Sequence, residues 1–200
     1  MNINEIAKLA GVSRATVSRY LNNGYVSEEK KKIIRKVIEE TGYQPSSQAQ
    51  MLRTKKTKLV GVILPKIDSN TISREVAGIS DILTKKGYQL ILANTNNNIE
   101  EELKYLSLFK DNQVDGVIFI ATILTKQHRD MLKEYKVPIV LLGQRLEGYP
   151  CIFQDDQKAA MTLTEQMVKT GSKFGYITVT DKDEAVGRKR MSGVEEILSK

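Results

Sequence analysis

Cysteine and histidine are almost missing. The single cysteine, Cys151, excludes an intramolecular disulfide and fits a reducing compartment. One cysteine and one histidine, His128, leave no structural zinc site. No metal and no cofactor is expected. No apolar run approaches the roughly 20 residues that cross a bilayer, and the amino terminus lacks the basic-then-apolar order of a signal peptide. A cytoplasmic location with no membrane partner is therefore expected. There is no G-x-S-x-G, no P-loop, no G-x-G-x-x-G after a strand and no nucleophile placed beside the histidine. An enzyme is not expected. His128 falls on a helix with Lys126 and Arg129 and reads as a surface residue. Cys151, after Pro150, reads as a small apolar residue, buried or half-buried. Repeats of fixed period and low-complexity tracts are also absent.

What is present is charge, and it is unevenly placed. The 200 residues carry a net charge of +7. Residues 1–58 hold 12 Lys and Arg against 5 Asp and Glu, and residues 59–200 hold 19 against 19. The whole surplus lies on the first segment, as an electrostatic footprint for nucleic acid requires. At 40% hydrophobic the chain can bury a core, and its length suits one or two domains.

The basic segment reads as three short helices. Asn2 can cap the first, with Glu5 reaching back, and Ile6, Leu9 and Ala10 form its apolar face. Gly11 closes it in the left-handed conformation that costs glycine nothing. Ser13 caps the second helix. Val17 and Leu21, four apart, face inward, while Arg14, Ala15, Thr16, Ser18, Arg19 and Asn22 cover the exposed side. Those residue types read base edges and hold phosphates. Asn22-Asn23-Gly24 ends the helix. Ser27 caps a third helix to about Thr41, with Ile33, Ile34, Val37 and Ile38 inward and Gly42 as the stop. A helix, a tight turn and a second helix presented this way form a helix-turn-helix. After Pro45, residues 46–54 can form a short helix that is unstable alone, followed by a basic linker, Lys55-Lys56-Thr57-Lys58.

From Leu59 the pattern changes. Leu59–Leu64 is the continuous apolar run of a buried parallel strand. Further strands are expected at Gln89–Ala93, Val114–Ile120, Ile139–Leu142, Ile152–Phe153 and Phe174–Val179. Helices are expected near 71–86, 100–112, 125–135, 157–170 and 187–199. Alternation of this kind predicts a parallel α/β sheet with right-handed crossovers. The expected organisation is an all-α headpiece at 1–45, a hinge and linker at 46–58, an α/β subdomain at 59–155 and the start of a second at 156–200.

These residues carry a family resemblance. The run from Asn4 through Gly11, Val12, Ser13, Thr16, Val17, Ser18 and Arg19 to Asn22 resembles the signature of the lactose-repressor family of bacterial transcription regulators. So does Gly42-Tyr43-x-Pro45-x-x-x-Ala49-x-x-Leu52. Leu59–Ile63, Val114–Ile118, Val137–Val140 and Arg190-x-x-Gly193 resemble that family's ligand-binding part. The likeness runs to the end of the chain, inside the second subdomain, so a fragment or truncated chain is expected.

The resemblance implies a homodimer or tetramer on a near-palindromic operator, with an effector closing two α/β subdomains. It implies DNA contacts at Asn4, Ser13, Arg14, Ala15, Thr16, Ser18, Arg19, Asn22 and Tyr25. Arg14 suits either a bidentate guanine contact or a phosphate. Ser46, Ala49, Gln50, Leu52 and Arg53 match the hinge helix, where paired leucines wedge into the minor groove; an ordinary core role for Leu52 is the alternative. Asp68, Ser69, Thr71, Gln144, Arg145 and Arg190 are the implied effector contacts, with plain turn chemistry the alternative for Asp68 and Ser69. Asp155 fits the family's crossover aspartate, structural or ligand-facing. The aromatic residue common in the first effector loop is absent. A sugar or sugar phosphate is the expected effector, acting by a shift between two states. A corepressor-dependent regulator answering a non-sugar metabolite, and a non-regulatory sugar-binding protein, are the alternatives.

Overall fold

The computed structural model describes residues 1–44, 56–111 and 114–199. The expected hinge residues Ser46, Ala49, Gln50, Leu52 and Arg53 lie outside the described residues. Packing divides the chain into two units, Met1–Lys56 and Thr57–Lys200.

The first unit is three helices: α1 (Ile3–Leu9), α2 (Arg14–Leu21) and α3 (Glu28–Thr41). Ser27 stands at the start of α3, but its side chain makes no cap hydrogen bond; the other boundaries have clearer local causes. Asn2 Oδ1 accepts from the backbone N–H of Asn4 and Glu5, and a Glu5 carboxylate oxygen accepts from Asn2 N–H at 3.0 Å. That is a complete capping box. Gly11 and Gly42, both at φ +62°, take the left-handed turns after α1 and α3. Ile6, Ala7, Ala10, Val17, Val26 and Ile34 make the core. Two inward expectations fail: Leu9 is 59% exposed and Ile33 is 42% exposed. With three short helices, one side of each suffices to close the core, and these two residues sit at its margin.

The second unit holds a five-stranded parallel sheet in the order β2-β1-β3-β4-β5. The strands are β1 (Leu59–Leu64), β2 (Gln89–Asn94), β3 (Gly116–Ile120), β4 (Ile139–Leu142) and β5 (Cys151–Ile152). The helices between them are α4 (Asn70–Lys85), α5 (Ile99–Asp111) and α6 (Lys126–Lys133). Order reverses at β1, so right-handed crossovers place α4 on one face and α5 and α6 on the other. Ile72, Val76 and Ile79 of α4 pack on Val62, Leu64 and Ile120. Leu106, Phe109 and Leu132 pack on Ile63, Phe119 and Leu141 across the sheet. Gly61 is needed beneath α5, because a Cβ there would lie 2.6 Å from the Phe109 ring.

Asp115 fastens the start of this unit. Its carboxylate accepts from Thr57 N–H at 2.8 Å, Thr57 Oγ1 at 3.1 Å and Lys58 N–H at 3.1 Å. Lys58 is held at φ +59°, an uncommon conformation for a residue with a Cβ.

After β5 come α7 (Asp156–Met167), a π-helical turn at Glu184–Lys189 and α8 (Arg190–Leu198). The helix expected from 187 thus begins earlier and with a wider turn: Arg188 N–H reaches Asp183 O five residues back, at 3.0 Å. Gly193 lets α8 press against the Gln157 carbonyl of α7. The expected strand at Phe174–Val179 does not form. The segment is irregular and exposed, with Ile177 at 98%. An apolar run becomes a strand only against a ladder partner, and no described segment pairs with it.

His128 corrects the surface expectation. It is fully buried. The helix cap explains why: Thr125 Oγ1 accepts from His128 N–H, and His128 Nδ1 accepts in return from Thr125 N–H at 3.2 Å. His128 Nε2 lies 3.2 Å from Glu102 Oε2 of α5, close to it but outside hydrogen-bond geometry. The ring stacks on Phe119, centroids 5.7 Å apart.

Candidate nucleic-acid interface and ligand cleft

Two candidate sites emerge, one in each unit. In the first, α2 is anchored at both ends. Ser13 Oγ accepts from Thr16 N–H at 3.2 Å and lies 2.9 Å from Thr16 Oγ1. At the far end, Asn22 Nδ2 donates to Ser18 O at 2.6 Å. Asn23 takes φ +56°, and Gly24 N–H closes on Arg19 O at 2.8 Å. Val17 faces the core, so Ser13, Arg14, Ala15, Arg19 and Asn22 are exposed, with Thr16 and Ser18 half-exposed. Tyr25 in the following turn is 88% exposed. Asn4 is also exposed, but its backbone N–H is already given to Asn2. Sequence reasoning passed over Arg35 of α3. It lies beside Tyr20 of α2, whose hydroxyl raises the guanidinium pKa.

In the second unit a cleft of about 400 Å³ opens at the carboxyl ends of β1, β3, β4 and β5. That is where open α/β sheets hold ligands, and the size suits a small molecule. Thr71, Gln144 and Arg190 line it; Asp68, Ser69 and Arg145 do not. Asp68 is exposed and lies 3.7 Å from Lys66 Nζ. Ser69 starts α4 without a side-chain cap, and Arg145 is exposed. Asp155 caps α7, accepting from Lys158 N–H at 3.1 Å, so its role in the structure is architectural.

The cleft also collects residues that no local motif marks: Glu75, Thr122, Phe153, Asp156 and Asp183. Gln144 Nε2 donates at 2.8 Å to both Thr122 O and Asp183 Oδ1. Arg190 Nε donates to Asp156 Oδ1 at 2.6 Å. Burial raises the Glu75 carboxyl above the usual range. The apolar floor includes Pro65, Ile72, Ile120 and Leu142. Polar groups converging over an apolar floor can grip a hydroxylated ring by its edges and its face. Among the described residues no cluster of metal-ligating side chains occurs.

Known family models match the chain in two stretches. Residues 2–46 match bacterial regulatory proteins of the lacI family. Residues 57–200 match periplasmic binding proteins and the sugar binding domain of the LacI family. The chain belongs to the LacI family. Among LacI-family relatives, it is 37% identical over 194 residues to a sucrose operon repressor of Staphylococcus xylosus, covering 96% of this chain and 61% of that one. It is 35% identical over 204 residues to catabolite control protein A of Priestia megaterium, covering 100% and 61%. The solved lac repressor dimer, bound to operator and the anti-inducer ONPF, superposes with a TM-score of 0.87 at 20% identity, over 100% of this chain and 62% of that one. That last likeness shows the fold. The chain thus spans about three fifths of the length of these relatives.

Proposed function

We propose that this chain is the DNA-binding and effector-sensing part of a repressor of carbohydrate-utilisation genes. The observation that carries the reading is the exposed polar and basic face of α2, anchored at both ends, at the centre of the +7 segment. Arg14 and Arg19 supply guanidinium forks for guanine or phosphate. Ala15 and the methyl of Thr16, whose hydroxyl is engaged by Ser13, suit thymine methyls. Ser13, Ser18, Asn22, Asn4 and Tyr25 complete the footprint. Ser46, Ala49, Gln50, Leu52 and Arg53 would seat the hinge in the minor groove.

The effector is a small sugar gripped by Thr71, Gln144 and Arg190, with Glu75 and Asp183 added to the expected set. Asp68, Ser69 and Arg145 stand outside the cleft and are not needed for this grip. The names of the relatives support the carbohydrate reading. A homodimer on a near-palindromic operator follows from one helix-turn-helix per chain. Ile82 of α4 and Ile91 and Leu92 of β2 remain exposed, which supports self-association along that edge. The setting is the cytoplasm, and the role is binding without catalysis.

The test is selection from a random duplex pool, repeated with a panel of sugars. A near-palindromic consensus whose recovery changes with one sugar supports the reading. Recovery without sequence preference, unaltered by any sugar, overturns it.

A further inference from the structure

The cleft carries three carboxylates, Glu75, Asp156 and Asp183, and Arg190 is the one guanidinium among the described residues that line it. Two of the carboxylates are engaged. Asp156 accepts from Arg190 Nε at 2.6 Å. Asp183 accepts from Gln144 Nε2 at 2.8 Å and from Val186 N–H at 3.0 Å. Glu75 differs. It stands in the second turn of α4, half-buried, and its Oε2 is buried with no hydrogen-bond partner among the described residues.

A carboxylate oxygen can only accept. A buried acceptor left unmatched is unfavourable, and natural folds keep few of them. Arg190 does not offset its charge, because its own is balanced by Asp156. The group that completes Glu75 is therefore a donor brought by the ligand. A hydroxyl does this. A second anion meets uncompensated negative charge where water is partly excluded.

We propose that Glu75 makes the cleft selective for uncharged polyhydroxyl ligands, accepting a hydroxyl proton donor from them and turning away the phosphorylated forms of the same sugars. The inference rests on the effector reading above and decides between the sugar and the sugar phosphate that the family resemblance left open.

Calorimetric titration with matched pairs tests it: glucose and glucose 6-phosphate, fructose and fructose 6-phosphate, sucrose and sucrose 6-phosphate. The wild-type chain is expected to bind at least one uncharged member, and to bind it at least about tenfold more tightly than its phosphate. Glu75→Gln keeps the shape and removes the charge. It should weaken the uncharged member and bring the phosphate to within about threefold of it. Glu75→Asp keeps the charge on a shorter arm. It should retain the bias against phosphate even where uncharged binding falls. Thermal melts followed by circular dichroism confirm that each variant is folded. A wild-type preference for a phosphate, or an unchanged ratio in Glu75→Gln, overturns the proposal and leaves the effector reading standing. Binding of no member of any pair removes both.

Discussion

Among the described residues of the first unit every buried one is apolar: Ile6, Ala7, Ala10, Val17, Val26 and Ile34. In the second unit Thr95, Glu102, His128, Gln144, Asp156, Thr164 and Asp183 are buried beside the apolar core. The hydrogen bonds that shape α1 and α2 join residues four apart or closer, as in Asn2–Glu5, Ser13–Thr16 and Asn22–Ser18. Those that shape the cleft join residues 22 to 39 apart, Gln144 with Thr122 and Asp183, and Asp156 with Arg190. The headpiece turns its polar groups outward, toward a charged polymer. The α/β unit turns some of them inward, where a small ligand can be enclosed.

The sharpest way to break this contrast is to strike each core separately. Ile34→Ala should destabilise the headpiece by about 3 kcal/mol, a large share of what so small a module has. DNA binding should collapse while sugar binding in the α/β unit persists. Parallel DNA titration and calorimetry read both. Loss of both activities together would show the two units unfold as one.

The buried polar pair is the counterpart test. Glu102→Leu removes the buried carboxylate that lies 3.2 Å from His128 Nε2 and should cost about 2–3 kcal/mol in urea unfolding. The double variant Glu102→Leu with His128→Phe should recover part of it. No recovery would mean that Glu102 and His128 stabilise the unit independently.

On the outward face effects are smaller and differ in kind. Arg14→Ala should cost about 1–3 kcal/mol at one operator position and relax preference there. Lys56→Ala should weaken all duplexes alike and lower the salt slope by about 1. Competition titrations against single-base operator variants distinguish the two. An unchanged preference in Arg14→Ala would reassign it to a phosphate.

The smallest effect concerns pH. The raised pKa of Glu75 comes from burial, which favours the neutral acid in the folded chain. An unfolded glutamate ionises near 4.5. Below that value Glu75 contributes fully, and as pH rises through its higher folded pKa that contribution is lost. Melts of the ligand-free chain from about pH 4 upward should show this decline, and Glu75→Gln should remove it. A decline that survives the substitution would place the titration elsewhere.

The same contrast explains what could be read from the sequence. The Asn2 and Ser13 caps, the glycine stops and the outward face of α2 were legible because each is decided within a few residues. The strands of the sheet were legible because a parallel strand is a short apolar run wherever it sits. His128 was not. Its neighbours Lys126 and Arg129 suggested a surface, whereas its burial depends on Glu102 from another helix. Glu75 and Asp183 carry no local mark either; they line a cleft only because crossovers bring α4 and the turn before α8 to the same strand ends. Asp68 and Arg145 show the converse, since following a strand does not make a residue face the cleft. Phe174–Val179 has the pattern of a strand, but strand formation is decided by a partner.

One measurement bears most directly on the union of the two regions. Fluorescence anisotropy of a selected operator duplex can be followed with the chain at about 50 and 200 mM salt, with and without an uncharged sugar that binds the cleft. The account predicts tight binding that falls steeply with salt, and a shift in affinity of about fivefold or more when the sugar is added. Failure to bind the duplex at the lower salt, in the presence and absence of the sugar, would contradict it.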